Sequence, residues 1–180
     1  MATVVRDLFG GAITARTPSS LINASDLRQI PDTQEVFLYP DSSASIIVEI
    51  LERVEAEHYD AAVRFHFDSL AHDNDAQAST VTSVSVIPND RGGDQTPSAV
   101  ILNGTQSVAK FNRSTLDVVR VLLALYRVES KRIDLVITFN VPTVTSDDSG
   151  AVTSEQLSKI ESDFQALVTS LQIVDFGLFA

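Results

Sequence analysis

Four segments between residues 81 and 141 constrain the fold most, because the first alternates with the period of a β-strand and the others are marked by turn signals and β-favouring residues. The segments are residues 81–87, 98–111, 118–128 and 133–141. Alternation with a period of two places successive side chains on opposite faces of a sheet. Turn-forming residues separate the segments, most clearly at 88–97. The pattern therefore predicts consecutive strands joined by hairpins, which pair as an antiparallel sheet.

Other parts of the chain have the spacing of an α-helix. In the first of them, Ile46, Ile50 and Val54 recur on one side, and serines precede them as candidate caps. The predicted helices cover about residues 43–57, residues 58–70 and a final segment that begins at Thr153 or Ser154.

Shorter apolar runs predict further strands. They lie at residues 12–15 and 35–39, and the apolar tail predicts a last short strand or docking arm. Residues 118–128 leave two interpretations open. Their leucines are compatible with a helix, but their valines favour a strand, which is the interpretation we prefer.

These elements together predict an α+β fold. We expect an α/β/α sandwich with a roughly six-stranded, mostly antiparallel sheet flanked by helices. A chain of 180 residues is long enough to build a core and suits one domain over residues 1–180.

Composition excludes several classes of function. The formal net charge of −11 opposes binding to nucleic acid or anionic membranes, because both require clustered Lys and Arg. A complementary partner would be basic, although an acidic balance also serves solubility alone. The absence of cysteine removes disulfides and thiolate chemistry. Without a long apolar run or an N-terminal signal core, we expect a soluble intracellular protein.

The sequence lacks the usual motifs of catalysis and nucleotide binding. There is no G-x-G-x-x-G and no phosphate-binding loop. The histidines His58, His66 and His72 do not have metal-binding spacing. Two carboxylates, Glu49 and Glu52, have no substrate-positioning group beside them. We therefore predict that the protein is not an enzyme and has no catalytic residue, cofactor or metal.

Acidic side chains concentrate in residues 21–52, where they alternate with apolar residues that need burial. These carboxylates are Asp26, Asp32, Glu35, Glu49 and Glu52. With residues 43–57 as a helix, Glu49 and Glu52 lie three apart on its polar side. We interpret this segment as the working surface of the protein; the alternative is a solvated helix face.

Five stretches of the chain carry a family resemblance. They read LFGGAITA, INASDLRQIPDTQEVF, SIIVEILE, ITFNVP and the terminal LFA. Together and in this order they resemble the Ran guanine nucleotide release factors, the Mog family of nuclear-import proteins. The loops at 71–79 and 88–97 carry no such match and stay unassigned.

The resemblance implies a single domain with a six-stranded antiparallel sheet flanked by helices. It implies that the protein binds the small GTPase Ran, with or without a second Ran-binding protein, and releases its guanine nucleotide in support of nuclear import. The expected location is the nucleus and also the cytoplasm. The family's acidic pair falls on Glu49 and Glu52. Its other signature segment matches at Asp26, Arg28, Asp32, Gln34 and Glu35.

Two further classes of function stay open. The same fold and acidic face would serve a non-catalytic adaptor or trafficking scaffold, which binds another basic partner without releasing nucleotide. A small-molecule pocket between sheet and helices, in a fold that resembles a photosystem accessory protein, would require a concave apolar site with a few convergent polar groups.

Overall fold

The computed structural model describes residues 2–109, 116–145 and 149–180. The strands, in chain order, are β1 (Thr3–Leu8), β2 (Ile13–Pro18), β3 (Ile22–Asn23), β4 (Gln34–Leu38), β5 (Ser45–Glu52), β6 (Ala76–Ile87), β7 (Ala99–Ala109), β8 (Leu116–Val128), β9 (Ile133–Val144) and β10 (Gln172–Ile173). The α-helices are α1 (Tyr59–Asp73) and α2 (Ser154–Ser170). Short 3₁₀ helices lie at Phe9–Gly11, Ala24–Asp26, Glu129–Lys131 and Phe176–Phe179.

Two antiparallel sheets form the framework. Seven strands pair in the order β3-β4-β5-β9-β8-β7-β6, and three pair in the order β1-β2-β10. The β8–β9 hairpin turns through the 3₁₀ helix Glu129–Lys131, and the residue that follows it, Arg132, has a left-handed φ of 55°. This architecture confirms the predicted α+β fold with a mostly antiparallel sheet and flanking helices. The predicted docking of the tail is also confirmed, since β10 pairs with β2.

Both faces of the seven-stranded sheet are covered by helices. Helix α1 packs on one face through Val63 and Phe67, and α2 packs on the other through Phe164 and Leu167. Because side chains alternate along a strand, neighbouring residues of β8 enter the two different cores. The sheet is therefore the central layer of the molecule.

The ends of α2 follow from its sequence. At the N-terminus, Thr153 and Gln156 form a capping box in which each side chain accepts a hydrogen bond from the other residue's backbone N–H. This confirms the predicted start of the last helix. Among the described residues, no helix has the length and apolar character needed to cross a membrane.

The predicted helix over residues 43–57 is wrong. This segment contains β5, which lies between β4 and β9 and is buried on one face and partly buried on the other. Ile46 and Val48 enter the core beneath α2, whereas Leu51 packs against the core beneath α1. A strand buried on both faces has apolar residues at consecutive positions, and such a run resembles helical spacing. Its β-branched residues were the better signal.

Other boundaries also differ from the prediction. The large sheet has seven strands and not about six. Strand β1 was not predicted, because it is mostly exposed, with Val5 56% accessible. The predicted loop at 71–79 contains the end of α1 and the start of β6. The predicted strand over 98–111 is β7, and residues 110–111 lie outside the described residues.

Candidate functional site

Residues 24–33 form an exposed loop between β3 and β4, which we call the 24–33 loop. It begins with a 3₁₀ helix capped by Asn23, whose side chain accepts a hydrogen bond from a backbone N–H at 3.0 Å. Asp26, Arg28 and Asp32 are all exposed on this loop. The cap explains the local conformation, and the three charged side chains remain accessible to a partner.

The loop is fixed to the neighbouring strand where it enters β4. The Ile50 N–H donates to the Thr33 carbonyl oxygen at 2.9 Å. Gln34 lies directly opposite Glu49 in the β4–β5 ladder, and its Nε2 donates to Glu49 Oε2 at 3.1 Å. The structure therefore brings Gln34 and Glu49 together and places the loop beside them.

Glu49 is half-buried on the face of the sheet that α1 covers. Burial raises the pKa of Glu49 above its ordinary value, and the carboxylate of Asp73 adds to this effect. The hydrogen bond from Gln34 and the nearby His66 act in the opposite direction. A carboxylate held in this way has lost part of its water and gains more from a cationic partner than an exposed one would.

Glu52 points to the other face of β5. Residues three apart on a strand face opposite sides, so the predicted pairing of Glu49 and Glu52 on one helix face is wrong. Glu52 is exposed and borders a polar groove of about 560 Å³, which is also lined by Arg53, Glu55, Glu129 and Arg132. Arg53 Nε already binds Glu129 Oε2 at 2.9 Å.

Glu35 has an internal partner. Its Oε1 accepts a hydrogen bond from the Phe9 backbone N–H at 2.8 Å, and Phe9 has a left-handed φ of 51°. Its neighbour Gln34 faces the opposite side of β4, toward Glu49. Glu35 therefore holds the turn between β1 and β2 and lies away from Glu49.

A buried charged network lies next to this region and was not predicted from the sequence. Asp134 is fully buried, and Arg127 and His66 are nearly so. Arg127 Nε donates to Asp134 Oδ1 at 2.9 Å, and His66 Nε2 donates to Asp134 Oδ2 at 2.8 Å. Burial alone would raise the pKa of Asp134, but these hydrogen bonds and one from the Val54 N–H lower it to about 2.

This network fixes the chain that follows Glu52. The Val54 N–H donates to Asp134 Oδ2 at 3.2 Å, and the Arg127 guanidinium donates to the carbonyl oxygens of Val54 and Ala56. One sequence signal existed: Arg127 and Asp134 are opposite charges near the turn between two largely apolar strands, where the hairpin pairs them directly. His66 gave no such signal, because α1 places it there only through tertiary packing.

The histidines form no metal centre in the described part of the chain, where no group of three or more His, Asp or Glu side chains could hold a metal ion. His66 is instead bound to Asp134.

Comparison with known proteins identifies the family of this chain. The family model described as Ran-interacting Mog1 protein matches residues 6–142, a span that includes the 24–33 loop, β5 and the Arg127–Asp134 pair. The chain belongs to the Mog1 family. The resemblance seen in the sequence is therefore confirmed.

Individual relatives of this Mog1-family chain agree over nearly their whole length. It is 37% identical to the Ran guanine nucleotide release factor of Danio rerio, over 97% of this chain and 98% of that protein. It is 31% identical to the nuclear import protein Mog1 of Saccharomyces cerevisiae, over 97% of this chain and 84% of that protein. The crystal structure of the Saccharomyces cerevisiae Ran-binding protein Mog1p matches all of both chains with a TM-score of 0.74 and 27% identity.

Proposed function

We propose that this Mog1-family chain binds the GTPase Ran and promotes release of its guanine nucleotide, in support of nuclear protein import. The observation that carries the proposal is the near full-length similarity to proteins named for this activity. The acidic surface around the 24–33 loop supports it, because a chain with a net charge of −11 favours a basic contact region on its partner.

The proposed contact surface has two parts. The first is the 24–33 loop, with Asp26, Arg28 and Asp32 exposed, together with Gln34 and Glu49 beside it. The second is Glu52 at the polar groove on the opposite face of β5. Glu35 supports the surface indirectly, through the turn that it holds.

To promote release, the factor must lower the affinity of the GTPase for its nucleotide. A factor that binds the nucleotide-free GTPase more tightly is, by linkage, weakened by nucleotide to the same degree. In our proposal, Glu49 or Glu52 engages a Ran lysine that otherwise binds the nucleotide phosphates, and the carboxylate repels those phosphates. Glu49 suits this role because Gln34 already orients it.

The protein acts in this proposal as a regulator and performs no bond chemistry of its own. We place its work in the nucleus and also in the cytoplasm, because the Saccharomyces cerevisiae relative is named a nuclear import protein. A second Ran-binding protein acting together with it is compatible with the two separate parts of the contact surface.

The test loads Ran with a fluorescent guanine nucleotide and follows release after addition of stoichiometric protein. We expect fast release by the wild type and slower release by Glu49→Gln and by Glu52→Gln. The isosteric change removes charge and keeps shape, and single variants separate the two faces of β5. Glu155→Gln is the matched control, because Glu155 is exposed on α2 and belongs to neither part of the proposed contact surface.

The outcomes separate the competing functions. Binding of Ran by the wild type without release would favour the adaptor. No binding of Ran would overturn the proposal altogether. Equal slowing by Glu155→Gln would mean that net charge matters and the proposed surface does not.

A further inference from the structure

The edges of the two sheets differ in how they are protected. One edge strand of the large sheet, β3, and one edge strand of the small sheet, β10, are each only two residues long. The third of these edges, β1, carries Arg6 and Asp7. Short length and charged side chains are the usual means by which proteins prevent unwanted pairing at a sheet edge.

Strand β6 has neither of these protections, although its register with β7 shifts twice, between Ala76 and Ala78 and between Val81 and Ser83. It spans 12 residues, AQASTVTSVSVI, without a charge or a proline. It is the last strand of the sheet, and among the described residues it pairs only with β7. After an irregularity between Val81 and Ser83, residues 83–87 pair with β7 in unbroken register. Their outer backbone groups are therefore arranged to receive another strand.

A small apolar pocket lies beside this edge. It has a volume of about 190 Å³ and is lined by Tyr59, Val86, Pro97, Ser98, Val100 and Arg127. Val86, on the edge strand itself, is 53% exposed. When a peptide adds to a sheet edge, backbone hydrogen bonds supply affinity and pockets for alternate side chains supply specificity. The pocket therefore suits an apolar side chain of an added strand.

The charges at the ends of β6 indicate what would bind there. Asp73 and Asp75 are exposed before the strand, and Asp90 is exposed after it. Antiparallel pairing of two copies over the whole length of β6 would bring Asp75 of each copy beside Asp90 of the other, and parallel pairing in register would bring identical aspartates together. Both arrangements place like charges opposite each other, which is unfavourable.

We propose that the free edge of β6 binds an extended segment of a partner protein by strand addition, and that this segment has an uncharged, β-branched core between basic residues. The site lies at the opposite edge of the sheet from β3 and β4. Four strand spacings, about 19 Å, separate β6 from β5. The proposed Ran surface and this edge can therefore be occupied together.

The experiment uses the full chain and a synthetic peptide in which alternating valines and threonines stand between pairs of lysines. We expect saturable binding and slowed amide hydrogen exchange within residues 83–87. In the variant Ser83→Lys, Ser85→Lys, both added lysines lie on the exposed edge. This change should lower the affinity for the peptide by about tenfold or more, because charge on an edge strand opposes pairing.

The control variant is Ser158→Lys, Ser162→Lys, which adds the same charge at exposed positions of α2. It should bind the peptide as the wild type does, and both variants should keep the native circular dichroism and the activity on Ran. No binding of the peptide, or equal weakening in both variants, would overturn the proposal. If the wild type forms a dimer that is lost only in Ser83→Lys, Ser85→Lys, the edge binds a second copy of this chain and the proposed partner segment is wrong.

Discussion

Charged residues occupy two contrasting regions of this molecule. In the buried network, Asp134, Arg127 and His66 are almost inaccessible to solvent and satisfy one another through hydrogen bonds of 2.8–2.9 Å. On the 24–33 loop, Asp26 and Asp32 are exposed. The first arrangement is costly to disturb, because removing one partner leaves a buried charge without its counter-charge. The second contributes little to stability and is available for association.

Glu49 lies between these extremes and shows what the contrast teaches. It is half-buried like a structural residue, but its pKa is raised, which means that the folded state disfavours its charge. Asp134, by contrast, has a lowered pKa because its partners outweigh burial. A carboxylate that the fold does not fully compensate is a better candidate for binding a partner than one that it does.

The largest effect on stability is expected at Asp134. The change Asp134→Asn leaves the buried Arg127 guanidinium without its counter-charge and should cost about 3–5 kcal/mol of unfolding free energy. The matched control is Asp60→Asn, which breaks the exposed Asp60–Arg64 pair. The control should cost about 0.3–0.5 kcal/mol. Urea unfolding measures both, and equal costs would remove the distinction between the two regions.

The pH dependence of Asp134 is the next largest effect. Its pKa of about 2 in the folded state lies below its ordinary value of 3.8, so the folded protein binds fewer protons here. This stabilisation is present above about pH 4 and is lost as the pH falls through 2, a change of about 2 kcal/mol. The stability difference between wild type and Asp134→Asn should therefore shrink from pH 4 to about pH 2. A stability difference that stays constant between pH 4 and pH 2 would contradict the lowered pKa of Asp134.

A smaller effect of opposite sign is expected at Glu49. The folded pKa is raised, so the charged side chain opposes folding at neutral pH, and this cost disappears as the pH falls through the folded pKa. The variant Glu49→Gln should therefore have an equal or slightly higher Tm at neutral pH and slower release of nucleotide from Ran. Thermal unfolding and the release assay together decide this. A lower Tm would show that Glu49 is mainly structural.

The smallest effect on stability is expected on the 24–33 loop. Asp26→Asn and Asp32→Asn replace exposed side chains and should change the unfolding free energy by less than about 0.5 kcal/mol. If the loop contacts Ran, both should still weaken Ran binding, measured by calorimetry at low and high salt. Unchanged binding in both variants would confine the contact surface to β5.

Prediction from sequence succeeded where local signals agree with the tertiary structure. β-favouring residues and the turn between them placed β8 and β9, and the candidate caps Thr153 and Ser154 placed the start of α2. Prediction from sequence failed for β5, because partial or full burial of both faces gives an apolar run without a strand's usual alternation. That one error also placed Glu49 and Glu52 on the same side of a helix, whereas the strand turns them to opposite faces.

By itself the sequence determined the α+β class, the antiparallel pairing, the acidic character of the surface and the family resemblance, because period, turns and composition are local properties of the chain. Only the tertiary structure decided which charges are compensated. Asp134, Arg127 and His66 come from two strands and a helix, and Gln34 reaches Glu49 across a ladder. Contacts between residues distant in sequence depend on register and packing, which no single segment encodes.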